Sequence, residues 1–313
     1  MEKSIQTDPW LIVEEKLQSN QQLSSEIVFW LGNGKIGQSG NFEDFSGDSI
    51  SGTNISGIYK SKTDVEQNNT EQLSKLPNWT KLNIRLNTEL LDLTKCEIIS
   101  YNRTLNIKRG FLERTFEVKT IENNHIQVSF QQFLSLKQKE IGAIKLFIRS
   151  INFNGRISFT PLIDGDFKGF EPEWNVLQSK TQKEVAHLWI QTRKTNFQVC
   201  QAVTFDLYKN NAQLKVNPTK IEKTNVTGFS FGTDLKSGES ACVYKYVSML
   251  SSLDHPYNEL TTRACELAIT PKNIGWFELF EENSTAWEKN WEKIKSQFSE
   301  NEIHNELQQF RPK

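Results

Sequence analysis

Hydrophobic and polar residues alternate along the middle of this chain with a period of two. In WTKLNIRLN (79–87), Leu82, Ile84 and Leu86 fall on one face and Lys81, Asn83 and Arg85 on the other. That alternation predicts a half-buried strand, because successive side chains of an extended chain point to opposite sides. RTFEVKTIENNHIQVSFQQF (114–133) predicts two strands around Glu122-Asn123-Asn124, with Val118 and Val128 facing inward. IKLFIRSINFNGRISFTPLIDG (144–165) repeats the arrangement around Asn154-Gly155, a dipeptide suited to a type I′ hairpin, whose two central residues need positive φ. AVTFDLYKNNAQLKVNP (202–218) does so again around Asn210-Asn211, and ACVYKYVSMLSS (241–252) supplies a further strand. Strands and turns recurring with hardly a helix between predict a mainly β protein, a large antiparallel sandwich reaching about residue 250.

The period changes at Asp254. DHPYNELTTRACELAIT (254–270) predicts a helix with Asp254 or His255 near its N-cap and Pro256 near its first position, where the missing N–H costs nothing. A second helix is expected from Ser284 or Thr285, because Trp287, Trp291, Ile294 and Phe298 then form one apolar stripe. Such a stripe either folds back on the sandwich or meets something outside it. The reading adopted is the second: self-association, or a partner chain, through these four residues.

One stretch points elsewhere. SEIVFWLGNGKIGQSGNFEDFSGD (25–48) holds Gly32, Gly34 and Gly37 in the G-x-G-x-x-G spacing of a dinucleotide-binding turn. That turn must open a helix, and here turn-forming residues follow without a helical repeat, so no nicotinamide or flavin cofactor is expected. Charge is balanced, with 37 Lys and Arg against 38 Asp and Glu, and no basic stripe interleaves with aromatics. Neither nucleic acid nor an anionic membrane is an expected partner. The first residues lack the order of a signal peptide, no long apolar run occurs, and four scattered cysteines suggest neither a disulfide framework nor a zinc site. A cytoplasmic location is expected.

Candidate chemistry is sparse. His125, His187, His255 and His304 show no metal-ligand spacing, and DGDFKG (164–169) places Lys168 where a calcium loop needs oxygen. No metal and no catalytic residue is assigned. Trp79, in LPNWT, and Trp174, in EPEW, have polar, proline-containing neighbours and are expected to be partly exposed. An exposed indole beside amides and guanidiniums suits a sugar, whose C–H face stacks on the ring.

Eight stretches together resemble the N-terminal domain of glycoside hydrolase family 65, the family of maltose, kojibiose and trehalose phosphorylases and related α-glucoside hydrolases. In family order they are DPWLIVEE (8–15), SEIVFWLGNGKIGQSGNFED (25–44), GTNISGIY (52–59), LPNW (76–79), YNRTLNIKRGFLERTF (101–116), QQFLSL (131–136), SINFNGRISFTPLIDG (150–165) and KYVSMLSSLD (245–254). The resemblance assigns Gly32, Gly34, Gly37 and Gly40 to a tight turn between strands. It implies a galactose-mutarotase-like β-super-sandwich over residues 1–253, with linker helices and a divergent tail over 254–313. In the family a helical (α/α)6 barrel then carries the catalytic glutamate and the site for inorganic phosphate, the co-substrate of its phosphorylases. KSQFSENEIHNELQQFRPK (295–313) departs from the family's linker, so the barrel is expected to be absent and the chain alone inactive. The candidate substrate-binding set is Asn33, Asn78, Trp79, Arg103, Arg109 and Trp174. The expected function is a non-catalytic, carbohydrate-binding-type domain for α-linked glucose disaccharides. The alternatives are a free-standing sugar-binding or interaction protein, or one subunit of a split disaccharide phosphorylase.

Overall fold

The computed structural model describes residues 8–17, 22–44, 52–59, 73–167, 171–298 and 302–303. Among these, a ten-stranded sheet runs in the order Leu11–Glu14, Glu97–Asn106, Phe111–Lys119, His125–Leu134, Ile141–Ser150, Ser240–Ser251, Gln198–Lys209, Ala186–Thr192 and Trp174–Thr181, with Ala212–Leu214 hairpinned beside Gln198–Lys209. A five-stranded sheet orders Thr219–Glu222, Val226–Leu235, Gly155–Asp164, Leu82–Leu86 and Glu89–Leu90. Leu31–Gly32, Ile36–Gln38 and Thr53–Ile55 form a small third sheet. Strand pairing is antiparallel.

The five-stranded sheet packs on one face of the large sheet, and Phe205 stacks on Phe231 with ring centroids 3.8 Å apart. Helices α2 (Leu260–Ile274) and α3 (Trp276–Lys295) cover the other face. Strand Gln198–Lys209 shows why: Val199, Val203 and Leu207 join the main core, while Cys200 and Ala202 on its opposite side meet Leu260, Ala264 and Ala268 of α2. Burial on both faces makes that strand nearly continuously apolar, as a central layer requires.

Leu82, Ile84 and Leu86 are buried and Arg85 is exposed, and Val118 and Val128 lie in the main core. Asn210 and Asn211 have φ of 48° and 67° and close the hairpin between Lys209 and Ala212. Asn123, at φ 61°, turns the chain between Phe111–Lys119 and His125–Leu134. Asn154-Gly155 corrects its expectation. Strand Ile141–Ser150 has both edges occupied, by His125–Leu134 and Ser240–Ser251, so the next strand crosses to the five-stranded sheet. The glycine is needed for another reason: a Cβ on Gly155 would stand 2.4 Å from Asn87 Oδ1, which accepts from the Arg156 amide at 3.0 Å.

The helix starts also differ. Pro256 lies in an exposed turn and α2 begins at Leu260. Gly275, at φ 91°, breaks the chain between α2 and α3, so α3 starts at Trp276, well before Ser284. Ser284, an expected start, lies inside the helix, where its hydroxyl donates back to the Phe280 carbonyl at 3.0 Å. A short helix, α1 (Gln22–Val28), precedes the glycine segment, and among the described residues the elements next after Gly32 are the strands Ile36–Gln38 and Thr53–Ile55. Leu31–Gly32 pairs with Ile36–Gln38 across a turn in which Gly34 takes φ 82°. No helix among the described residues is long and apolar enough to cross a membrane.

Candidate functional site

The segment after α1 is held by polar side chains that face inward. Asn33 uses its whole amide: Nδ2 donates to the carbonyls of Ser135 and Lys139 at 2.8 and 3.0 Å, and Oδ1 accepts from the Lys35 and Ile36 amides at 3.1 and 2.8 Å. Two donors and two acceptors exhaust an amide. Further on, Thr53 donates to Gln38 at 2.8 Å, Gln38 to Asn41 at 2.7 Å, Asn41 to Thr80 at 3.0 Å and Thr80 to Asn78 at 2.8 Å. Each member is buried, which ties the glycine segment to the 76–81 stretch by a satisfied chain of hydrogen bonds.

Beside this chain lies a cluster of buried charge, Arg103, Arg114, Glu43 and Asp44. Arg103 and Arg114 are direct cross-strand partners, each 1% exposed, with the Phe42 ring 4.9 Å from one guanidinium and 4.4 Å from the other. Like charges opposed across a ladder repel. Glu43 and Asp44 relieve the pair, at 2.8 and 2.6 Å from Arg114. Burial pulls Arg114 down, but Asp44 and Glu43 outweigh it and hold its pKa above the ordinary range. Burial lowers Arg103, against the opposing influence of Tyr101 and Glu14. Arg103 donates to Ser25 Oγ at 3.1 Å and to the Gly40 carbonyl.

The two indoles expected at the surface are buried, Trp79 at 0% and Trp174 at 2% exposure. Their polar sequence neighbours describe the chain beside them, not the ring. Trp79 lies over Gly142, and its carbonyl accepts from the buried Lys245 ammonium, which also donates to the carbonyls of Lys81 and Leu162 at 2.8 and 2.7 Å. Trp174 Nε1 donates to the Lys75 carbonyl at 3.0 Å. Arg109 lies apart, at the turn between Glu97–Asn106 and Phe111–Lys119, paired with Glu281 of α3 at 2.9 Å. The six candidate residues thus do not line one open surface.

That turn is where α3 docks. Asn283, fully buried, donates to the carbonyls of Arg109 and Gly110 at 3.2 and 3.3 Å and accepts from the Leu136 amide at 3.0 Å. Trp291 Nε1 donates to the Ile107 carbonyl at 3.1 Å, and its ring meets Trp10 edge-on at 4.9 Å. The terminal stripe therefore folds back on the sandwich: Trp287, Trp291 and Ile294 are half-buried, and Phe298 is 52% exposed. Asn283, Arg114 and Lys245 escaped the sequence reading because each looks like an ordinary polar position and acquires its partners only through distant chain.

Elsewhere, a cleft of about 560 Å³ opens between strands Trp174–Thr181 and Ala186–Thr192 and α2, lined by Gln178, Lys180, His187, Cys265, Glu266 and Ile269 among others. Among the described residues, no group of three or more His, Cys, Asp or Glu is placed to hold a metal ion.

A two-sheet antiparallel sandwich with a helical cover and an inward-stapled glycine turn defines a class, and the sequence profile agrees. The chain belongs to the family described as glycosyl hydrolase family 65, N-terminal domain, which it matches over residues 12–290. It is 27% identical over 299 residues to the alpha,alpha-trehalose phosphorylase of Thermoanaerobacter brockii, covering 88% of this chain and 38% of that protein. It is 25% identical over 321 residues to the maltose phosphorylase of Bacillus subtilis (strain 168), covering 98% of this chain and 41% of that protein. In structure it is similar to a putative kojibiose phosphorylase from human microbiome, with a TM-score of 0.80 at 19% identity, over 90% of this chain and 38% of that one. The chain therefore spans about two fifths of the length of these relatives.

Proposed function

We propose that this chain is the non-catalytic β-super-sandwich of an α-glucoside phosphorylase or hydrolase, acting in carbohydrate metabolism in the cytoplasm. Residues 1–253 form the sandwich, and 254–313 the linker helices and tail. The observation that carries this reading is the family match over residues 12–290, in a chain that spans 38% of a trehalose phosphorylase. The one acidic pair of the glycine segment agrees with it. Cleaving a glycosidic bond needs a carboxylic acid positioned to protonate the leaving oxygen. Glu43 and Asp44, the paired carboxylates of the glycine segment, are 2% and 6% exposed and engaged with Arg114. On this reading the acid and the phosphate site belong to a catalytic domain, and the partners are that domain and α-linked glucose disaccharides. Of the candidate sugar contacts, Arg109 keeps solvent-facing area and is the one retained, while the two buried indoles serve packing.

The test is the chain incubated with maltose, kojibiose and trehalose, with and without inorganic phosphate. No glucose or glucose 1-phosphate is expected. Release that survives repurification and disappears on substituting an acid in this chain would overturn the reading. Saturable calorimetric binding of a disaccharide without turnover fits both this reading and the alternative of a sugar-binding protein in its own right; turnover gained on adding a catalytic domain separates them in favour of the first.

A further inference from the structure

The cleft beside α2 is lined by a histidine, a cysteine and a glutamine that meet across the seam between sheet and helix. His187, on strand Ala186–Thr192, is 2% exposed. Its Nε2 lies 2.8 Å from Gln178 Oε1 and its Nδ1 3.5 Å from Cys265 Sγ. A carbonyl oxygen only accepts, so Nε2 carries the ring proton and Nδ1 presents its lone pair to the thiol. That is the tautomer able to take a proton from sulfur. Cys265 is half-buried on α2, in the wall of a cleft whose volume suits a small ligand.

We propose that Cys265, with His187 as its base and Gln178 as the positioning residue that fixes the imidazole, is a thiol–disulfide exchange site for small soluble disulfides. The Cys265 thiol gives its proton to His187 Nδ1 as the sulfur attacks one sulfur of the incoming disulfide. A new S–S bond forms to Cys265 and the old one breaks. The departing thiolate then takes the proton from the imidazolium, leaving a mixed disulfide and one free thiol. Lys180 and Lys183 line the cleft together with Glu184 and Glu266, so its charge is balanced and it selects no one sign of disulfide.

Burial pushes the Cys265 thiol up to about 11, with Glu266 adding to the rise. Burial also lowers His187, Lys180 adding to the shift and Glu222 opposing it. The resting pair is therefore neutral, and the attacking thiolate forms only as the proton passes to His187. Cys96 and Cys242 are likewise raised to about 11, which makes them matched internal comparators.

The experiment treats the intact chain at pH 7 with 5,5′-dithiobis(2-nitrobenzoate), a carboxylate-bearing disulfide that releases a coloured thiolate, and maps the labelled peptides by mass. Cys265 is expected to react at least about a hundredfold faster than Cys96 and Cys242, the low end of general-base assistance. Cys265→Ser should abolish the fast phase. His187→Gln should bring Cys265 down to the comparators' rate without moving theirs. Gln178→Ala should slow Cys265 alone, and Gln178→Glu, which keeps the acceptor, should restore it. Equal rates for the three cysteines in the unmodified chain overturn the proposal. That comparison needs no variant, so it decides the matter even if a substitution at His187 unfolds the chain. An unchanged Cys265 rate in folded His187→Gln overturns it as well.

Discussion

Lys245 shows how a single residue can be committed to the interior. Its ammonium sits among three carbonyls from two stretches, those of Trp79 and Lys81 in one and Leu162 in the other, and its side chain is fully buried. Burial pulls its pKa well below the ordinary lysine range, against Asp164 and Glu43. The carbonyls gain a donor that apolar side chains cannot supply. The Lys81 carbonyl keeps the Leu162 amide as a donor at 2.9 Å, so Lys245→Met should cost about 1–3 kcal/mol, the penalty of removing a buried donor from its acceptors, read as a lower urea midpoint with native strand content. His187 gives a pH-dependent counterpart. Its pKa in the folded state lies below 6.5, first through burial and then through Lys180. Above 6.5 the ring is neutral in both states and its contribution is complete. As pH falls through 6.5 toward the folded value, the unfolded chain takes up a proton that the folded chain refuses, and stability is lost. The melting temperature of His187→Gln should accordingly fall less steeply than that of the parent between pH 6.5 and 5. Parallel curves would contradict the assignment.

At the scale of elements, the seam between α3 and the two turns below it joins helix to sheet. Gly110 has φ 65°, and a Cβ there would stand 1.9 Å from the Trp287 ring nitrogen. Gly110→Ala should lift Trp287 and its neighbour Trp291 off the turn at a cost of about 1–3 kcal/mol, the range for overpacking. Acrylamide quenching of tryptophan should rise while far-ultraviolet circular dichroism keeps its strand signal. Asn283→Ala removes three hydrogen bonds from the same seam and should cost about 2–3 kcal/mol, measured by denaturant unfolding. Neither residue announces itself in a helical wheel. Trp287 and Trp291 were legible as a stripe from their spacing, but their partners Gly110, Ile107 and Trp10 lie far away in sequence. Asn283-Ser284-Thr285 also reads as a glycosylation sequon, yet the Asn283 amide is spent inside the seam.

Across the whole molecule the large sheet is a middle layer. Trp276, Leu279 and Phe280 of α3 cover Phe111, Phe133, Ile141, Ala143 and Tyr246. A chain ending at Gly275 should leave that aromatic face in water and self-associate, because an apolar patch of this size seeks a cover. Sedimentation velocity should show a shift from the parent's distribution to larger species. A truncated chain that stays dispersed would mean that the helix contributes little to shielding the sheet.

What the sequence determined was local. Leu82, Ile84 and Leu86 had to share a face, since an extended chain alternates its side chains whatever surrounds it. Asn210-Asn211 had to turn tightly, since asparagine tolerates positive φ and the flanking residues alternate. The glycine segment could not open a nucleotide-binding helix, since nothing after it repeats at helical spacing. Eight ordered stretches were enough to reveal the family. Only the tertiary structure decided which strands became neighbours, and so that Asn154-Gly155 crosses between sheets instead of closing a hairpin. It alone buried Trp79 and Trp174, set Arg103 against Arg114 across Phe42, and brought Cys265 to His187. The reason is one of range. Periodicity and turn chemistry act over a few residues, whereas burial and ionic pairing depend on chain that arrives from a hundred positions away, and a polar residue looks the same in sequence whether it faces water or a buried partner.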